Sequence, residues 1–574
     1  MSCRFTMLAP RNRFVRLQST ARAELNLCTH RVLTSAIAKL SWVLLLALTP
    51  ALASAKSTAA PVPQAQSTHD PLPTIYQQAD ETLLWSAFGR PKERAYAALE
   101  LLANAGEHGL DPERYATSLL YSRMDQITSD ADLAAFDKLL TAAIWSFNED
   151  LRLGNPHLTT RRGKSAQPKS TDPKALTALI NAITQDQLSA HLDSHIPRFA
   201  SYKQLQAALA TYRDHQLMDG WSALPTDLRL QLGDQHTAIP ALRQRLVMTD
   251  GLAEDANVST HYDAPLQAAV MRFQARHQLQ TDGEVGPATL AQLNVPVEEK
   301  IRALQLNLAR LRSLPVELPA DRIQVNIPEF ELRLYRDDVE TLNMNVVVGS
   351  KRNPTPPMQD RLRHLVFNPY WYPTRNITVN EILPRLKRDP GYLKRSRFEL
   401  LKRGSKTVVN SQSINWQQVD ARKFPYRFRQ TPGAKNSLGQ VKFIFPNKQS
   451  IYLHDTPSRK LFSKRVRAFS HGCVRVEKPT ELATELMAWD RGWTKAEVLA
   501  DIGAAKRKLR KFREKMDIYL LYQTAAIRDD QVNFFPDIYR HDRVRQPANA
   551  FAPAVAELAP DRPVERTDRA IASR

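Results

Sequence analysis

Between residues 75 and 230, apolar side chains recur every three or four positions, most clearly at 81–102 and 132–151. That spacing places them on one face of a helix. Gly109, Asp111-Pro112 and Gly154-Asn155-Pro156 punctuate the pattern, as helix ends do. The region predicts a helical domain, and since it holds no cluster of chemically active side chains, it reads as a scaffold. Residues 235–296 predict a smaller unit with amphipathic helices at 241–246 and 265–277 and a short helix at 288–293. In the turn at 281–287, Asp282-Gly283 and Gly286 are expected at positive φ, and Pro287 at a helix start. A basic amphipathic helix over 297–318 reads as a connector.

From Arg322 the period falls to two. Short alternating runs at 323–327, 331–335, 342–348, 364–368, 441–445, 450–454, 517–527 and 532–539 predict strands, with Asp529-Asp530 turning between the last two. Many short strands with few helices suggest a sandwich or barrel-like domain over 320–544. Residues 376–425 break this rhythm and are expected to form a helical insertion. Nine Lys/Arg between Arg385 and Lys406 face two acidic residues, so the insertion is expected to act as a lid or substrate-binding element. At 574 residues the chain exceeds one hydrophobic core, and the fold class expected is multidomain α+β.

The N-terminal segment adds a destination. A basic stretch ends at Lys39, residues 40–48 are strongly apolar, and Ala53-Ser54-Ala55 fits signal-peptide cleavage. The apolar run is shorter than the roughly 20 residues a spanning helix needs. Residues 1–55 therefore read as a secretory signal, 56–74 as a linker, and the periplasm as the destination. The tail 545–574, rich in Ala, Pro and Arg, is expected to be disordered. Net charge is +21; residues 1–55 carry six of those units, which leaves +15. Such a balance suits an anionic polymer or proximity to a membrane surface. No zinc-finger, RRM or P-loop pattern accompanies it, so no nucleic-acid partner is expected.

Cysteine usage narrows the chemistry. Of Cys3, Cys28 and Cys473, the first two leave with the signal, so the mature chain holds one thiol and no internal disulfide. A lone exported cysteine is either a small buried apolar residue or a reactive thiol. Its neighbours read Ser470-His471-Gly472-Cys473-Val474-Arg475, and His454 closes an expected strand 19 residues earlier. A thiol needs an imidazole or another cationic partner to become a strong nucleophile. Both His454 and His471 are candidates for that base. On a sharp turn, the N–H groups of Gly472 and Cys473 could converge as an oxyanion hole.

Two resemblances extend this reading. Residues 268–293, "AAVMRFQARHQLQTDGEVGPATLAQL", resemble the three-helix peptidoglycan-binding module, in which F-Q-x-x-x-x-L-x-x-D-G-x-x-G-x-x-T recurs. His454, fifteen residues, then "SHGCVR" resembles the L,D-transpeptidase (YkuD-type) catalytic domain. The text of 429–479, and "AGEHGLDPERY" at 105–115, is similar to the large YcbB-like subfamily.

The second resemblance implies Cys473 as nucleophile and His454 as base, its ring oriented by the Asp455 main chain. It implies Ser470, His471 and Gly472 as shapers of the oxyanion site, and Arg475 and Tyr452 as substrate contacts. It further implies no metal and no organic cofactor. The partners implied are peptidoglycan tetrapeptide stems, as donor and acceptor, joined 3→3 through a cysteine thioester. L,D-carboxypeptidase action, anchoring of a protein to the wall, and a non-catalytic wall-binding protein are the alternatives. Core packing is the competing role for Tyr452, and an ion pair with Glu477 for Arg475.

Overall fold

The computed structural model describes residues 71–80, 82–154, 172–253 and 259–543. The expected leader (1–55) and tail (545–574) lie outside them, as does most of the linker at 56–74. The end of that linker is already helical, in Leu72–Gln78. The longest helix described, α1 (Asp130–Leu153), starts in a reciprocal cap between Ser129 and Asp132 and stops at Gly154, where φ is +70°. Its buried Phe136, Leu140, Ile144 and Phe147 share a core with Trp85, Leu99 and Leu179. Helix α2 (Ala200–Leu217) follows.

Helices α3 (Ile239–Asp250), α4 (Ala264–Arg276) and α5 (Pro287–Leu293) close around Leu246, Tyr262, Phe273 and Leu290. The buried Gln274 amide donates to Asp282, to the Glu284 carbonyl and to Thr289, and its Oε1 accepts from the Gly283 N–H. The recurrent Gln, Asp, Gly and Thr of this motif are thus spent holding turn to helix. Gly283 has the expected positive φ of +71°. Gly286 does not: at φ −85° it is extended, as a residue preceding proline must be. Helix α6 (Val297–Arg312) ends earlier than the expected 318, because Pro315 forbids its continuation.

Beyond it lie β1 (Arg322–Asn326), β2 (Glu331–Arg336), β3 (Val339–Gly349) and β4 (Met358–Phe367). The insertion contributes β5 (Phe398–Lys402), β6 (Val408–Val409) and β7 (Tyr426–Gln430). Then come β8 (Val441–Ile444), β9 (Leu453–His454), β10 (Ala468–Ser470) and β11 (Val474–Val476). Helices α7 (Pro479–Arg491) and α8 (Lys495–Gly503), not anticipated from the alternation, precede β12 (Lys508–Leu521). A hairpin of β13 (Ala525–Arg528) and β14 (Gln531–Phe534) ends the domain.

Nine strands pair in the order β10-β3-β11-β9-β8-β4-β12-β1-β2, and β2 also pairs with β3, so the circuit returns on itself. Its core joins Phe443, Leu453, Val474 and Val476 to Leu482, Leu486, Met487 and Val498 of α7 and α8. The run 517–527, expected as one strand, is split between β12 and β13. Between them Gln523 and Thr524 turn their N–H groups to the side chains of Asn326 and Asn307.

The insertion is bounded by the Trp371–Gln430 bridge. Expected to be helical, it has α-helices only as far as Arg395; the rest forms the sheet β6-β5-β7, with short 3-10 turns at Ser411–Ser413 and Trp416–Gln418. Leu386, Phe398, Trp416, Phe424 and Phe428 give it a core of its own. Flanking Lys and Arg mask the alternation of Phe398-Leu400 and Phe428-Gln430, which is why its charge density suggested helices. Phe534 of the final hairpin lies 5.7 Å from Tyr212 of α2 and 5.6 Å from His277 after α4, and the Lys300 ammonium of α6 sits 4.2 Å over its ring.

Candidate active site

Strand β8 runs antiparallel to β9, pairing Phe443 with Leu453 and Lys442 with His454. Strand β9 runs parallel to β11, pairing Leu453 with Val474 and His454 with Arg475. Residues directly opposite one another share a face. Phe443, Leu453 and Val474 therefore form a row into the core, and Lys442, His454 and Arg475 a row on the other face. One period back along each strand, Tyr452 and Cys473 extend that second face; the Val474 N–H donates to the Tyr452 carbonyl. Alternation alone thus gathers five polar residues at one spot while their neighbours anchor the sheet.

His454 is buried, and its Nδ1 lies 2.5 Å from the Asp455 carbonyl oxygen. A carbonyl only accepts, so Nδ1 carries the proton and Nε2 keeps its lone pair. The Asp455 carboxylate holds that backbone in place by accepting from the N–H groups of Gln440 and Thr456. Burial, reinforced by the Arg475 charge, pushes the His454 imidazole down to about 3. Burial also pushes the Cys473 thiol above its ordinary range, against the opposing pull of Tyr452, Lys442 and Arg475. Thiol and imidazole thus both rest neutral, and the thiol donates to the Ser450 carbonyl oxygen, with Sγ 3.6 Å away.

Tyr452 packs 5.6 Å from the His454 ring, with the Lys442 ammonium 3.6 Å over its own face. It packs on that ring, and a negative charge on the nearby Cys473 sulfur would disfavour ionisation of its own hydroxyl, which burial already opposes. The Arg475 Nε is buried with no hydrogen-bond partner. Glu477, the expected ion-pair partner, accepts instead from the main chain and side chain of Asn345. His471 is not part of the row; its Nε2 lies 2.5 Å from the Glu381 carboxylate in the insertion.

The loop before Cys473 is a tight turn. Gly472 has φ +112°, a conformation other residues rarely adopt. The Ser470 hydroxyl accepts from the Gly472 N–H at 3.0 Å and donates to the Cys473 carbonyl at 2.5 Å. This corrects the expected oxyanion geometry: the Gly472 N–H is already spent on Ser470 and cannot converge with that of Cys473. A cleft of about 800 Å³ opens beside the loop, bordered by Arg310, Arg352, Pro354, Ile451, His471 and Gly472. Sequence reasoning missed Lys442, Glu381 and Thr355. Lys442 carried a usable signal, a cation on the expected strand just before that of His454; the other two carried none.

Residues 320–498 match the family model of the YkuD L,D-transpeptidase catalytic domain. The chain carries an L,D-transpeptidase catalytic domain. Residues 70–209 match a scaffold domain, and residues 235–293 a "Putative peptidoglycan binding domain". Over 240 residues the chain is 38% identical to a "Putative L,D-transpeptidase" of Haemophilus influenzae, covering 42% of this chain and 48% of that protein. The chain thus spans about half the length of that curated relative. A crystal structure of the L,D-transpeptidase (residues 123–326) from Xylanimonas cellulosilytica is 15% identical and covers 52% of this chain and 99% of its own, with a TM-score of 0.16. The Ldtfm-avibactam carbamoyl enzyme is 11% identical over 40% of this chain and 64% of its own, with a TM-score of 0.17. Every residue of the Lys442–His454–Arg475 row, and Cys473, falls inside the span matched to the L,D-transpeptidase domain.

Proposed function

We propose that this protein is an exported L,D-transpeptidase that joins peptidoglycan stems 3→3 in the periplasm, with Cys473 as nucleophile and His454 as base. The observation that carries this reading is the shared face of His454, Cys473, Lys442 and Arg475, with the free lone pair of His454 on Nε2. The thiol gives its proton to Nε2 as sulfur attacks the carbonyl carbon of the third stem residue. A C–S bond forms and the carbonyl pair moves to oxygen. On collapse the C–N bond to the terminal D-alanine breaks, and the departing nitrogen takes the proton from the imidazolium. An imidazolium whose pKa lies near 3 gives that proton up readily. A neighbouring stem's amine then attacks the thioester, and the thiol re-forms.

Lys442 is proposed to support the sulfur as charge develops, because its cation and that of Arg475 both favour the thiolate. The Arg475 guanidinium, whose buried Nε has no hydrogen-bond partner, suits a donor-stem carboxylate. The test is mass analysis of purified tetrapeptide muropeptides incubated with the protein. The expected products are a 3→3 dimer and free D-alanine, absent with Cys473→Ser, whose hydroxyl is far less acidic. Tripeptide without dimer would mean a carboxypeptidase, and no reaction with the folded wild type would mean a wall-binding protein.

A further inference from the structure

Thr355 lies in the 350–357 loop between β3 and β4, fully buried, about 120 residues before the cysteine. Its hydroxyl donates to the Gly472 carbonyl at 2.6 Å and accepts from the Gly349 N–H at 2.9 Å. The Tyr539 hydroxyl secures the same corner: it donates to the Gly349 carbonyl at 2.6 Å and accepts from the Thr355 N–H at 3.2 Å. Gly349 itself sits against the 353–355 backbone, where an added Cβ would come within 2.1 Å of the Asn353 carbonyl oxygen. The hydroxyl is therefore held at both ends within a close-packed corner.

The Gly472 carbonyl and the Cys473 N–H belong to one peptide unit. In a planar trans peptide these two groups point in opposite directions. A hydrogen bond that pins the carbonyl on the Thr355 side therefore fixes the N–H on the other. Ser470 already consumes the Gly472 N–H and the Cys473 carbonyl. Among the described residues, the Cys473 N–H has no hydrogen-bond partner.

We propose that Thr355, backed by Tyr539, is a positioning residue that aims the Cys473 N–H at the oxygen of the attacked carbonyl. This rests on the transpeptidase reading above. With a φ of +112° at Gly472, the loop has little side-chain restraint of its own, and an unpinned peptide could rotate its carbonyl into the site. A donor aimed beforehand costs no reorganisation when the oxyanion forms.

Two reactions of the same sulfur separate this role from a general structural one. Acylation by a carbapenem passes through an oxyanion; alkylation by iodoacetamide does not. Both are read by intact-protein mass on wild type, Thr355→Val and Thr355→Ser. Thr355→Val should slow acylation by about 10²-fold, the order seen when an oxyanion donor is lost. Its alkylation rate and pH profile should match wild type, and Thr355→Ser should recover most of the acylation. Acylation of Thr355→Val at the wild-type rate, or an equal fall in both reactions, would overturn the proposal. If Thr355→Val does not fold, Tyr539→Phe must show the same selective loss in milder form, and its absence counts equally against the proposal. A wild type that is alkylated but never acylated would instead overturn the transpeptidase reading.

Discussion

A buried histidine and a buried cysteine each resist charge, and that resistance governs how the site should respond to pH. The His454 imidazole is pushed down to about 3 and the Cys473 thiol is pushed up, so no imidazolium–thiolate pair exists between pH 5 and 8. A raised thiol pKa means that the thiolate fraction falls as pH drops and grows until the pKa is reached. Alkylation of Cys473 by iodoacetamide should therefore rise about tenfold per pH unit from 6 to 8, with no acid plateau. A plateau near pH 5–7 would reveal a preformed ion pair and contradict the neutral resting state. His454 and Cys473 were legible as candidates because thiol chemistry asks for those side-chain types, and the strand alternation accounts for their shared face. Lys442 was legible in principle by the same alternation. Thr355 was not, because a hydroxyl that acts through another residue's backbone has no distinguishing pattern. The Gly472 N–H was misassigned for a related reason: the hydroxyl that captures it lies two residues away, and only the turn brings it round.

At the scale of elements, the insertion touches the catalytic loop through the Glu381–His471 contact, with both side chains 38% exposed. Exposed pairs of this kind contribute about 0–1 kcal/mol, which suits a latch that opens and closes rather than a permanent strut. Glu381→Gln should leave the fold intact, and the ratio of hydrolysed to cross-linked product should rise as the insertion opens more often to water. Liquid chromatography of the products gives that ratio, and an unchanged value would make the contact incidental. Excising 385–406 would be a poor test, because it removes β5, the central strand of the insertion's sheet, together with Phe398 and Leu400 of its core. The insertion's place was legible from the break in alternation at 376–425. Its strands were not, because Lys and Arg alternate with the few apolar residues that specify them.

Across the whole molecule, the junction of scaffold, three-helix module and catalytic domain closes on the hairpin β13–β14. Besides the rings around Phe534, the Arg276 guanidinium donates to the Val532 carbonyl, and the Gln278 amide to the Glu329 carbonyl. Phe534→Ala should cost about 3–5 kcal/mol, as buried phenylalanines do on truncation. Calorimetry should show the thermal transition moving down; an unmoved transition would mean that the hairpin carries little of the junction. Deleting residues 235–296 would uncover these same contacts, so wall attachment is better probed with substitutions on the module's exposed face. The modules themselves were legible from period and punctuation, but their docking was not, since it depends on residues more than 200 positions apart, such as Arg276 and Val532.

The order of strands has one more consequence, for the route by which the chain folds. Strand β12 stands between β4 and β1, pairing Asp517 with Arg322, and so lies inside the circuit although it begins at residue 508, after the matched span ends at 498. A chain synthesised N-terminus first therefore has its cysteine made before the strand that completes the sheet. Contacts this distant in sequence form late. Cys473 passes through that interval without the finished sheet around it, and assembly of the site waits until synthesis has run past residue 521.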